Sequence, residues 1–175
     1  NNYFYFKYYI MQENILYEDG MYRYIFSDIR FQDPIVFIEL CADEEERDAI
    51  ETLEFAPISD IEFFKQKLAK YNIPENILRN LTISLNGLFY RCHNLKDISV
   101  LKDFDYSNVR DFSEMFKFCT NLNSTKCGFD IINHDIVREK LSNYSVLCLG
   151  MFDGAYGYSI PGWVDAHLFD MIWYG

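Results

Sequence analysis

Residues Leu88 to Leu122 read LFYRCHNLKDISVLKDFDYSNVRDFSEMFKFCTNL, and the stretch opens and closes on the same phrase. Leu88-Phe89 is followed by Cys92 and Leu95, and Met115-Phe116 by Cys119 and Leu122. A third copy, Met151-Phe152, is followed by Ala155 and Tyr158. A recurring phrase marks one unit that buries its apolar face only against its neighbours. Asn108 is placed to cap a helix over Val109, Phe112, Met115, Phe116 and Cys119, whose spacing is helical. Residues 96–101 before it read as a short strand, with Ile98 and Val100 on one face. Cys92, Cys119 and Ala155 then form a column of small residues where units approach closely. The phenylalanines are 27 and then 36 positions apart. The longer interval leaves an extra piece around Lys126 to Lys140, expected as a loop or short helix.

The run Phe104-Asp105-Tyr106-Ser107-Asn108-Val109-Arg110-Asp111-Phe112, leading into Met115-Phe116, resembles the BspA-like leucine-rich repeat, also called the mycoplasma-lipoprotein repeat. Ile160-Pro161-Gly162-Trp163 is similar to a variant of that repeat. The resemblance covers about residues 76–175 in degenerate form. In its frame Leu168 takes the Val109 position, Met171 the Phe112 position and Tyr174-Gly175 the next Met-Phe pair. It implies a short irregular solenoid of three to four strand-plus-helix rungs, in a surface or secreted protein that binds another protein through a rung surface. An unfinished last rung would pair end to end, giving a homodimer.

Half of the residues are hydrophobic and 18% are aromatic, enough for a substantial core and unlike a disordered chain. The net charge of -11 is unevenly placed. Residues 1–75 hold 16 acids and 7 bases, and residues 76–175 hold 11 acids and 9 bases. The chain therefore divides into an acidic α+β head or N-terminal cap, 1–75, and a nearly neutral repeat region, 76–175. This balance argues against direct nucleic-acid binding, which needs clustered Lys and Arg, and suits a basic protein partner. No run approaches the length needed to span a bilayer. The chain begins at Asn1 rather than Met, as expected of a cut or processed chain. Five cysteines without a CxxC pair read as buried, reduced thiols, which would suit the cytoplasm.

In the head, residues 3–10 read as a strand rich in Tyr and Phe. Asp19-Gly20 between Ile15-Leu16-Tyr17 and the run 21–26 is a hairpin signal, with both turn residues at positive φ. Ile35 to Leu40 reads as a buried strand, completing a small antiparallel sheet. Asp43 to Asp48 heads a helix running to about Glu54, with Ala49, Ile50 and Leu53 on one side. Ser59 or Asp60 caps a second helix over Ile61, Phe64, Leu68 and Tyr71, and Pro74 opens a third.

The chemistry-bearing residues do not assemble into a catalytic motif. Cys92-His93 are neighbours in a repeat column, and adjacent side chains do not face each other. His134-Asp135 lies in the inserted piece without a recognisable partner, and His167 falls at a helix-cap position. Cys119, Cys127 and His134 lack the four-ligand spacing of a zinc site. The glycines at 150, 154, 157 and 162 read as turn residues rather than a phosphate loop. No catalytic, cofactor-binding or metal residue is expected. The candidate contact residues are the acids Asp43, Glu44, Glu45 and Glu46, and the aromatics Tyr156, Tyr158, Trp163, Trp173 and Tyr174. The expected function is a non-enzymatic protein–protein interaction module. The alternative is a small acidic inhibitor of the phage or mobile-element type, blocking a nucleic-acid-binding enzyme by charge mimicry.

Overall fold

The computed structural model describes residues 15–27 and 34–174. The strand expected over residues 3–10 lies outside them. Among the described residues, five strands form one open sheet in the order β1-β2-β3-β4-β5, namely Ile15–Asp19, Tyr22–Phe26, Ile35–Leu40, Thr82–Ser84 and Val109–Asp111. The first three pair antiparallel, and β3, β4 and β5 pair parallel. Five short α-helices among the described residues are scattered around the sheet: α1 Glu44–Ala49, α2 Ile61–Leu68, α3 Glu75–Leu78, α4 Asp135–Ser142 and α5 Ala166–Tyr174. The fold class is α+β.

The head follows its local signals with small displacements. The hairpin register pairs Asp19 with Tyr22, so the turn centres on Gly20 and Met21, and only Gly20 takes a positive φ, +53°. Helix α1 starts where the acids predict. The Asp43 carboxylate accepts from Glu46 N–H, and the Glu46 side chain accepts from Asp43 N–H. It stops at Ala49 and buries none of its side chains. Leu53 instead follows an isolated bridge between Thr52 and Asp97 and donates its N–H to the Asp97 carbonyl. Helix α2 is capped by Asp60 and buries Phe64 and Leu68 against the sheet, while Tyr71 stays exposed. The sheet crosses the 75/76 boundary, since Ile35, Val36 and Phe37 pair with Thr82, Ile83 and Ser84. A single apolar core continues across it.

The expected rung is overturned. Val109–Asp111 is a strand and residues 113–118 are turns, so no helix covers the stripe from Val109 to Cys119. Residues Ser99–Asp103, which overlap the end of the expected strand, form a 3₁₀ turn. The three phrases share a different conformation. In the first, the N–H groups of Leu88, Tyr90, Cys92 and Leu95 each donate to the carbonyl three residues earlier. The same four bonds recur at Met115, Lys117, Cys119 and Leu122, and at Met151, Asp153, Ala155 and Tyr158. Each phrase is thus a run of consecutive β-turns. Two residues before each Phe, and again two after, the backbone is left-handed. These positions are Gly87 and Arg91, Glu114 and Phe118, and Gly150 and Gly154, with φ between +56° and +74°. A residue with positive φ interrupts the repeating αR geometry that a helix requires. Apolar spacing of three and four is equally served by such turns, because they also return side chains to one side.

The alternate N–H groups join the layers. Leu85, Gly87, Phe89 and Arg91 donate to the carbonyls of Asp111, Ser113, Met115 and Lys117. Phe112, Glu114, Phe116 and Phe118 donate in turn to Leu147, Leu149, Met151 and Asp153. Inside, Phe116 stacks between Phe89 at 5.6 Å and Phe152 at 5.3 Å. Cys92, Cys119 and Ala155 fill the small-residue column, all three buried.

Both ends of the stack are closed. At the first layer, the Arg47 guanidinium donates to the carbonyls of Tyr90 at 3.0 Å and Leu88 at 3.4 Å. At the last, Gly150 and Phe152 N–H groups donate to the carbonyls of Met171 and Ile172. Those carbonyls belong to the final turn of α5, where a helix has no acceptor-side partner of its own. The region placed as a fourth, unfinished rung is therefore this capping helix, with Leu168 and Ile172 buried. The sheet is mixed, open and not curled, unlike a leucine-rich-repeat horseshoe, and the expected solenoid is not the architecture of this chain.

Candidate interaction surface

Two columns of the stack lie at the fifth and third positions before each Phe, and they are buried or half-buried in the first two layers and exposed only in the third. They hold Ser84 and Asn86 in the first layer, Asp111 and Ser113 in the second, and Leu147 and Leu149 in the third. In the first two layers the residues are polar and bonded to one another. Ser113 N–H donates to the Asp111 carboxylate at 2.7 Å, and the Asn86 amide reaches its other oxygen at 3.4 Å. Asn86 N–H donates to Ser84 Oγ, and Leu149 N–H to Ser113 Oγ at 3.1 Å. Burial pushes the Asp111 carboxyl above the usual carboxylate range, against the pull of the Ser113 and Asn86 hydrogen bonds.

The third layer differs. Along residues 145–149 exposure alternates, with Val146 and Cys148 buried and Leu147 and Leu149 49% and 46% exposed. Tyr144, which enters this strip with φ +52°, is also exposed. Its hydroxyl donates to the Asp165 carboxylate, and its ring lies 5.6 Å from His167. Two exposed leucines side by side at positions occupied by polar groups in both preceding layers form the clearest apolar feature of this surface.

The sequence-predicted contact residues fall at opposite ends. Helix α1 lies over the first layer, and its acids are largely engaged within the chain. Asp43 and Glu46 cap each other, Glu44 lies 3.7 Å from Arg91, and Asp48 is 2.6 Å from His93. Glu51 pairs with Lys96 at 3.6 Å. Glu45 is exposed. At the far end, Tyr156 and Tyr174 are exposed. Tyr158 is buried, with its ring stacked 3.9 Å from Phe152 and its hydroxyl bonded to Asp130, so it is a core residue rather than a contact anchor. Trp163 is half-buried, donating to Asn133 at 2.9 Å beneath the Arg138 guanidinium, and Trp173 lies against Phe169.

The candidate chemical residues remain dispersed. Cys92 is buried behind His93, with its thiol pushed up to about 11 by burial. His134 packs against the rings of Tyr106 and Phe129. Among the described residues no group of three or more His, Cys, Asp or Glu side chains is placed to hold a metal ion. A shallow depression of about 550 Å³ between α2 and α3, lined by Glu62, Lys65, Asn72 and Leu78 among others, brings no acid–base pair together with a nucleophile. Among the described residues no helix is long and apolar enough to cross a membrane.

No family model, curated protein or solved structure matches this chain. The BspA-like resemblance thus rests on the short phrases alone, and the open mixed sheet overturns it. Sequence reading missed Leu147, Leu149 and Arg47. For the leucines a signal was present, in the change from polar to apolar residues at equivalent positions of the three phrases.

Proposed function

We propose that this chain is a non-enzymatic protein–protein interaction module that binds its partner through the outward face of the third turn layer. The observation that carries this reading is the exposed pair Leu147 and Leu149 in columns that are otherwise polar. A rigid support strengthens it, since the strip is hydrogen-bonded to the second layer along one side and backed by α5. The charge-mimicry alternative is weakened at α1, where Glu44 faces Arg91 and Asp48 faces His93 of the same chain, leaving Glu45 as the exposed acid outside these pairs and the capping box.

The test is affinity capture with the intact chain and with a Leu147→Asp, Leu149→Asp variant, followed by reconstitution with the purified partner. A stoichiometric partner bound by the intact chain and lost in the variant is the expected result. Binding that survives in the variant, whose circular dichroism matches the parent, would move the interface elsewhere.

A further inference from the structure

We infer that the strip from Tyr144 to Leu149 receives a basic amphipathic segment of another protein, with apolar side chains on the two leucines and cations on the carboxylates around them. This rests on the interaction reading above and specifies the partner's chemistry. Residues 141–175 contain Asp153, Asp165 and Asp170 and neither Lys nor Arg. Asp111 is the ladder partner of Leu147, and Glu114 N–H donates to the Leu149 carbonyl, which brings two acids of the second layer to the same strip. Asp165 adjoins it through Tyr144. A Cβ built on Gly150 would lie 3.7 Å from Asp153 Cβ and 3.8 Å from Glu114 Cγ, so these two acids converge beside Leu149.

The nearby cations do not balance them. Lys117 bridges Glu114 at 3.4 Å and Asp153 at 3.2 Å, and Arg110 has interactions of its own. Four carboxylates, those of Asp111, Glu114, Asp153 and Asp165, thus lie along the strip against three cations, Lys117, Arg110 and Lys140, the last donating to the Val109 carbonyl from just before Tyr144. An acidic or purely polar segment would meet like charge or leave the leucines uncovered. A segment carrying both Lys or Arg and apolar residues matches the surface.

The experiment uses the full chain and fluorescence anisotropy with three labelled synthetic peptides. One alternates Lys and Leu, one Glu and Leu, and one Lys and Ser. The Lys/Leu peptide should bind, with affinity falling as salt rises. Leu147→Ser with Leu149→Ser, which leaves the charge unchanged, should weaken it about tenfold. Asp111→Asn with Glu114→Gln should weaken it and flatten the salt dependence.

Equal binding of the Glu/Leu peptide would overturn the charge inference and leave the interaction module standing. Retained Lys/Leu binding by the serine variant would mean general attraction to an acidic protein, and the inference would fall. Binding of none of the three would also overturn it, while partner capture through the leucines would then still support the module. A dimer in light scattering that dissociates in the serine variant would make a second copy of the chain the occupant instead.

Discussion

Arg47 Nη1 stands 3.0 Å from the carbonyl oxygen of Tyr90, occupying the place that a backbone N–H takes in the next layer. Phe118 N–H, for comparison, donates to Asp153, the residue equivalent to Tyr90 in the third phrase. One side chain reaching out of α1 therefore does for the first layer what a whole preceding layer does for the others. Without it the carbonyls of Leu88 and Tyr90 lose their donor at the end of the stack.

Arg47→Met should accordingly destabilise the protein by about 1–3 kcal/mol, the usual cost of leaving a buried acceptor without its partner. Arg47→Lys should recover only part of this, because a single ammonium cannot reproduce the planar fork. Urea denaturation followed by circular dichroism measures both. An unchanged midpoint for the Met variant would show that the cap is ornamental.

The left-handed positions make a paired prediction. Gly154 has φ +74°, and a Cβ there would lie 2.4 Å from Phe118 Cδ1, so Gly154→Ala should be clearly destabilising. Glu114 occupies φ +56° where the other two phrases have Gly87 and Gly150. Glu114→Gly should be neutral or stabilising by up to about 1 kcal/mol, since Gly adopts this backbone without a Cβ penalty. The partly exposed Glu114–Lys117 pair offsets little of that. A stable Gly154→Ala variant with an unshifted melting temperature would contradict the stacking geometry.

Asp111 sets a pH dependence with a definite sign. Its folded-state carboxyl is held above the usual carboxylate range by burial, so between the unfolded and folded values the native state binds more protons. Its contribution to stability therefore falls as pH rises through that window. Asp111→Asn keeps an oxygen for the Ser113 N–H and removes the ionisation. The stability difference between variant and parent should grow in the variant's favour from acid pH toward neutrality. A difference independent of pH would show that the carboxyl titrates normally.

The cysteines should separate by accessibility. Burial pushes Cys92 and Cys148 up to about 11 and Cys119 well above its ordinary value, so at neutral pH these remain thiols in the core. Cys127 is buried as well, whereas Cys41 is half-buried. Ellman's reagent should label Cys41 first in native buffer and the other four only on unfolding. Rapid labelling of all five without denaturant would mean that the layers open readily.

Much of the local structure was legible because short-range chemistry decides it. The capping box of Asp43 and Glu46, the Asp60 cap and the Gly20 turn each depend on residues within a few positions of one another. The repeated Phe, Cys and Leu columns were legible for the same reason, since they recur at constant spacing. The candidate surface was not. Tyr156, Tyr158 and Trp163 look alike as aromatics in one segment, yet their exposure differs because Asp130 and Asn133, far away in sequence, bind two of them.

By itself, then, the sequence determined the apolar columns, the head's turns and caps, and the acidity of the chain, all of which follow from residue type and nearby spacing. The tertiary structure decided whether those columns ride on helices or on stacked turns, because intervals of three and four satisfy both. Left-handed backbone at Glu114 and Phe118 settles the choice, and interlayer hydrogen bonds to residues about thirty positions away hold it. It also decided how both ends are closed. Arg47 and the last turn of α5 close the stack because unpaired carbonyls and N–H groups require partners, and no periodicity in the sequence announces which distant residue will supply them.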